Sequence, residues 1–203
     1  MQDFYIEGIG RINGGEFGTV TVEGVGNCSG NLKAELIRVE GVFHCQGGLE
    51  AGLLDCEGVA DFSMDIRAKK ISVEGVLNLK KGAKIEAEEI TCEGVIRTSG
   101  EISADVIRAE GCISAEEIVG DHIQINSDYH PRFISRIFSR AKSDVKLIEA
   151  TTIEIRGVTA ETVNGKNIVI GRDCRIESVD CSGTLYIDKS AYVRNITGEY
   201  TMK

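Results

Sequence analysis

The chain has 203 residues, among them 24 Gly, one Pro and no Trp, and its formal net charge is −9. This acidic balance argues against nucleic acid as a partner, because phosphate binding needs a basic surface. The sequence contains no apolar run long enough for a transmembrane helix and no secretory leader, so we expect a cytoplasmic protein.

Seven Glu-Gly pairs recur along the first half of the chain, and they are its clearest pattern. The pairs lie at 7–8, 23–24, 40–41, 57–58, 74–75, 93–94 and 110–111. Most neighbouring pairs are therefore separated by the same interval, and the exceptions differ from it by only one or two positions. A short period of this kind is typical of a solenoid, in which each repeat buries its apolar face against its neighbours.

Alignment on these pairs gives columns of apolar residues. The residues three positions before each Glu are Phe4, Val20, Ile37, Leu54, Ile71, Ile90 and Ile107. The residues immediately before each Glu are Ile6, Val22, Val39, Cys56, Val73, Cys92 and Ala109. A mostly polar residue separates the two columns, and this alternation is typical of a strand. With two further strands per repeat, the pattern predicts an all-β fold: a single-stranded parallel β-helix with three sides and roughly 17 residues per turn. We expect the corner glycines to supply the backbone freedom of a sharp bend.

The period breaks after Cys112 and resumes near the C-terminus. Ile168, Ile176 and Val179 recur as Leu185, Val193 and Ile196, each exactly one period further along the chain. We therefore predict N-terminal turns in residues 1–126, an insertion in residues 127–147, and C-terminal turns of the same solenoid in residues 148–203.

Within the insertion, residues 131–142 have the spacing of one short α-helix that begins at Pro131. Its apolar face holds Phe133, Ile134, Ile137, Phe138 and Ala141, and beside it lies the basic row Arg132, Arg136 and Arg140. Two interpretations remain open. The helix packs on the flank or over an end of the coil, or it binds an anionic membrane surface.

The other polar residues do not suggest an active site. Stacking places the seven glutamates in one column, where we expect them to be solvated, with divalent-cation binding as the alternative. Cys28 and Cys45 occupy adjacent turns, and burial in the core is the expected role of the cysteines. His44, His122 and His130 do not recur at the period. No nucleophile–base pair or phosphate-binding loop is evident, so we expect no enzyme activity, no cofactor and no nucleotide.

Three segments carry a resemblance to a known family. They are residues 102–118 (ISADVIRAEGCISAEEI), 163–176 (VNGKNIVIGRDCRI) and 179–185 (VDCSGTL). They resemble the bactofilins, the polymer-forming cytoskeletal proteins of bacteria, in the longer form of Gram-positive species. The resemblance implies a right-handed β-helix that assembles end to end into filaments without nucleotide. It also implies association with the inner face of the membrane and scaffolding of cell-envelope or motility machinery.

Polymerisation is also expected from the ends of the coil, since terminal turns expose strand edges that solenoids normally cap. The residues expected to mediate contact between copies are Phe4, Ile6, Val193, Ile196 and Tyr200. The alternative function is that of a left-handed β-helix acyltransferase, suggested by the stretch at 168–176. That stretch is similar to the hexapeptide repeats of those enzymes, which have a longer period per turn and use a histidine at a trimer interface. Here the period is roughly 17 residues, and the scattered histidines supply no such site.

Overall fold

The structure is a computed structural model that describes residues 2–127 and 143–203. Those residues form an all-β parallel solenoid of about 11 turns with roughly 17 residues per turn. Every pairing between strands is parallel. The predicted all-β parallel solenoid and its period are confirmed. No helix occurs within the two described ranges, and the helix predicted at 131–142 lies outside them.

In the first half of the chain, short strands alternate with longer ones. These strands are β1 (Phe4–Ile6), β2 (Ile9–Ile12), β3 (Gly15–Val22), β4 (Val25–Cys28), β5 (Leu32–Val39), β6 (Val42–Cys45), β7 (Leu49–Cys56), β8 (Val59–Phe62), β9 (Ile66–Val73), β10 (Val76–Leu79), β11 (Ile85–Cys92), β12 (Val95–Arg97) and β13 (Glu101–Ala109). Strands in the second half are mostly longer: β14 (Cys112–Asn126), β15 (Ser143–Arg156), β16 (Val158–Ile170), β17 (Arg175–Ile187), β18 (Tyr192–Thr197) and β19 (Thr201–Met202).

One column of inward residues runs through the whole solenoid. Its members are Phe4, Val20, Ile37, Leu54, Ile71, Ile90, Ile107, Ile123, Ile153, Ile168, Leu185 and Met202, each paired with the next. From Val20 to Leu185 these side chains are at most 2% exposed. The repeat thus continues beyond Cys112, although the intervals along the chain from Ile107 through Ile123 and Ile153 to Ile168 are unequal.

The corner glycines are required for a reason other than the expected one. None of the seven glycines of the Glu-Gly pairs has a positive φ, so residues other than glycine could adopt the backbone conformation at these corners. A Cβ added at Gly24, Gly41, Gly58, Gly75, Gly94 or Gly111 would lie 2.0–2.1 Å from the carbonyl oxygen of the glycine one turn earlier. Close stacking of successive corners, rather than backbone freedom, therefore excludes a side chain.

Ser127 and Ser143 lie on either side of residues 128–142. Ser127 directly follows β14, which pairs with β13, and Ser143 is the first residue of β15. β15 starts at Ser143 among the described residues, so residues 143–147, which the sequence analysis placed in the insertion, belong to a strand. Both serines are buried, and their hydroxyl oxygens lie 2.6 Å apart.

The outer surface carries a column of alternating charge in the first five turns. The column consists of Glu16, Lys33, Glu50, Arg67 and Glu86 in register. Within it, Lys33 Nζ lies 3.0 Å from Glu50 Oε1, and Arg67 Nε lies 3.0 Å from Glu86 Oε2. Each exposed pair contributes little stability by itself, because solvent screens the two charges. The alternation instead favours pairing between adjacent turns, because it places opposite charges beside each other in that arrangement.

Candidate functional site: the two end turns

The first and last turns of the solenoid are the candidate site, because each presents strand edges without a further turn among the described residues. We call residues 4–18 the N-terminal end turn and residues 188–203 the C-terminal end turn. Unpaired edges of this kind can accept another strand. The two end turns differ in how well their cores are covered.

The core at the N-terminal end turn is nearly closed by its own side chains. Phe4 and Phe17, both half-buried, meet edge to face with ring centroids 5.7 Å apart. Ile6 and Ile12 are each only 4% exposed. The Ile6 side chain also occupies the space beside Gly10, where an added Cβ would lie 3.0 Å from it. Of the predicted contact residues at this end, Phe4 therefore reaches the surface, whereas Ile6 belongs to the core.

The core at the C-terminal end turn is open. Ile196 is 38% exposed and Tyr200 37% exposed, whereas Val193 is half-buried. Met202, which the sequence analysis did not single out, is 56% exposed although it pairs in register with Leu185, which is fully buried. Its position one period after Leu185 was the signal that could have found it. This end presents apolar side chains that a further turn would cover.

Polar contacts hold the backbone around this apolar surface. The Ser190 backbone N–H and hydroxyl both donate to Asp188 Oδ1, at 2.9 and 2.7 Å. The backbone hydrogen bond from Ser190 is the main cause that lowers the pKa of the Asp188 carboxyl. Nearby, the guanidinium of Arg175 lies 5.6 Å from the ring centroid of Tyr192, a distance typical of a cation–π contact.

The possible flank or membrane contacts lie outside the described residues. These are Arg132, Phe133, Ile134, Arg136, Ile137, Phe138 and Arg140. No helix in residues 2–127 and 143–203 has the length and apolar character needed to cross a membrane.

The glutamates of the Glu-Gly pairs are all exposed at the corners. Across the part of the chain that the structure describes, no three His, Cys, Asp or Glu side chains are grouped so as to hold a metal ion. The exposed, straight arrangement agrees with solvated corners, where repulsion between neighbouring carboxylates is weakest.

All seven cysteines are buried, as expected for core residues. Burial raises the pKa of Cys56 and of Cys92 to about 12. Cys28 and Cys45 pair in register, and a hydrogen bond between the two thiols lowers the pKa of Cys28 to about 7 and raises that of Cys45.

One histidine has a partner that the sequence analysis missed. His44 Nδ1 lies 2.8 Å from Asp61 Oδ2, and Asp61 Oδ1 accepts a hydrogen bond from Asn78 Nδ2 at 2.8 Å. The three residues follow one another at intervals of one turn, which was the available signal. The row lies on the outer face, whereas the thiol of neighbouring Cys45 points into the core.

Comparisons with known proteins do not assign the chain to a family. No family model matches it, and no solved structure matches it. The chain is 35% identical over 83 residues to the uncharacterized protein YhbE of Bacillus subtilis (strain 168). The alignment covers 41% of this chain and spans 35% of that protein's length. The name of this relative carries no activity.

Proposed function

We propose that the protein is a non-enzymatic structural scaffold that assembles end to end into filaments without nucleotide or other cofactor. The observation that carries this proposal is the C-terminal end turn, where Ile196 and Met202 are exposed beside an open strand edge. Burial of apolar surface contributes roughly 25 cal/mol per Å², and an added strand would also satisfy the backbone groups of the edge. The bactofilin-like segments of the sequence support the same function.

We also infer the finer geometry of the coil. Each turn contributes three pairs of inward residues, exemplified by Leu32 and Ala34, Ile37 and Val39, and Phe43 and Cys45. Three pairs per turn favour a cross-section with three sides. Connections between parallel strands of one sheet are almost always right-handed, which favours a right-handed coil.

The proposed setting is the cytoplasm, with the inner face of the membrane as the place of assembly. The proposed partners are further copies of the chain, the membrane surface and proteins of the cell envelope or motility machinery, and not nucleic acid. The basic, apolar segment at 131–142 is the feature of the sequence that supports membrane contact.

Negative-stain electron microscopy and light scattering of the purified chain, across concentration and salt and without nucleotide, test this function. We expect filaments whose length grows with protein concentration. A chain that stays monomeric at high concentration and low salt would contradict the proposal, and discrete trimers would point to the enzyme class instead.

A further inference from the structure

The five Glu-Gly corners from Glu23–Gly24 to Glu93–Gly94 each receive the corner of the turn before it in the same way. The N–H groups of Glu23 and Gly24 both donate to the carbonyl oxygen of Ile6, at 2.9 and 3.1 Å, and Val25 N–H donates to Gly8 O at 2.7 Å. The next corner repeats this arrangement: Glu40, Gly41 and Val42 N–H groups donate to Val22 and Gly24 at 2.8–2.9 Å. Each corner is thus a set of N–H donors that faces the carbonyl groups of the preceding turn.

Glycine is necessary at these corners because the preceding carbonyl comes so close. A Cβ at Gly58, for example, would lie 2.0 Å from Gly41 O and 2.4 Å from Glu40 O. Since φ is not positive at this corner, no other property of the backbone calls for glycine. A glycine at this position therefore marks a corner that receives another turn.

The first corner keeps the glycine although none of the residues that the structure describes occupies the place of a preceding turn. A Cβ added at Gly8 would have no atom within 4 Å. Among the described residues, no group accepts a hydrogen bond from the N–H of Glu7 or Gly8. Ile9, which follows, is 86% exposed, whereas Val25 in the same column one turn later is 38% exposed. The first corner has the donors and the open space of an interior corner.

We infer that the corner at Glu7 and Gly8 is a docking site for the strand edge of a second copy of this chain. The backbone carbonyl groups of that copy occupy the place that Gly8 O and Ile6 O occupy for the second corner. The junction between copies thus continues the backbone ladder of the solenoid and does not rest on apolar side chains alone. This inference depends on the proposed end-to-end assembly, and it specifies how the N-terminal end takes part in it.

Two matched substitutions, Gly8→Ala and Gly58→Ala, test the inference, because they make the same change at the same corner of the first and fourth turns. In dilute, dispersed protein we expect Gly8→Ala to leave the midpoint of thermal unfolding within about 1 °C of wild type, because its methyl group enters open space. Gly58→Ala should lower that midpoint by several degrees or more, since its methyl group meets backbone.

Assembly is the second measurement, and here Gly8→Ala should have a large effect. We expect it to raise the protein concentration at which light scattering begins by about tenfold or more, as loss of a close backbone contact at the junction requires. Assembly of Gly8→Ala at the wild-type concentration would overturn the inference while leaving end-to-end assembly intact. A thermal midpoint of dispersed Gly8→Ala as low as that of Gly58→Ala would also overturn it. Wild-type protein that fails to assemble at all would overturn the proposed function itself.

Discussion

The hydroxyl oxygens of Ser127 and Ser143, which are 16 residues apart in the chain, lie 2.6 Å apart in the core. The Ile113 N–H donates to Ser143 Oγ at 2.9 Å, and Ser127 Oγ donates to Gly111 O at 3.2 Å. The remaining proton, that of Ser143, therefore lies between the two hydroxyls. The pair thus completes a buried hydrogen-bond chain that runs from the Ile113 N–H to the carbonyl oxygen of Gly111.

Ser143→Ala should destabilise the protein because it leaves the buried N–H of Ile113 without an acceptor. The expected loss is about 1–3 kcal/mol of unfolding free energy. Urea unfolding of the variant measures it, with Ser182→Ala, at an exposed serine, as the control. The double variant Ser127→Ala/Ser143→Ala should lose less than the sum of the single variants, since the two hydroxyls form one chain. Additive losses would show that the two serines act independently.

Met202→Lys should weaken assembly because it places a charge on the apolar surface of the C-terminal end turn. Met64→Lys is the matched control, since Met64 is 55% exposed on the flank and Met202 is 56% exposed at the end. Light scattering should show a threshold concentration raised about tenfold or more for Met202→Lys and unchanged for Met64→Lys. Ile196→Lys and Phe4→Lys should act like Met202→Lys. Equal effects of the two methionine substitutions would argue for lateral rather than end-to-end contacts.

Stability should fall as the pH rises from about 9 towards about 12, because the pKa values of Cys56 and Cys92 are raised from 9.0 to about 12 in the folded protein. Below the ordinary value both states hold the thiol protons, so the stabilising contribution is complete. Above it only the unfolded chain ionises, and the contribution is lost as the pH approaches the folded value. Cys56→Val/Cys92→Val should show a shallower decline in urea unfolding. Valine already occupies this column at Val39 and Val73. Parallel declines in the two proteins would refute the assignment.

Vesicle sedimentation tests membrane contact through the segment at 131–142. With vesicles rich in anionic lipid, we expect the intact chain to sediment and Phe133→Asp/Phe138→Asp to remain largely in solution, since insertion of the apolar face is then opposed by charge. Neutral vesicles serve as the control for electrostatic attraction. Equal sedimentation of the two proteins on anionic vesicles would eliminate this mode of membrane binding.

The period and the inward columns could be predicted from the sequence because each strand alternates buried and exposed positions. Phe4 to Ile107 and Ile168 to Leu185 were assigned to turns in this way. Ile123 and Ile153 were not, because the Glu-Gly markers end at Gly111 and the register then continues at unequal intervals along the chain. The number of residues per turn varies, whereas the inward residues of this column stay paired from one turn to the next.

The exposure of side chains in the end turns depends on packing, which the apolar columns of the sequence do not reveal. Ile6 is in the core because glycines at positions 10 and 26 leave room for its side chain, which lies 3.0 Å from a Cβ added at either position. Met202 is exposed because no residue of the described ranges stacks beyond it. Asp61, the partner of His44, could have been found by comparing polar residues at the same one-turn spacing as the apolar residues.

The alternating charges on the outer surface bear on how such a uniform chain finds its correct order while folding. The inward residues of successive turns are similar, so during folding a strand could pair with the strand two turns away instead of with its neighbour. That mispairing would place Lys33 beside Arg67 and Glu50 beside Glu86. Like charges directly opposite each other are destabilising. The outer charges therefore disfavour a mispaired strand that the packing of the core alone would tolerate.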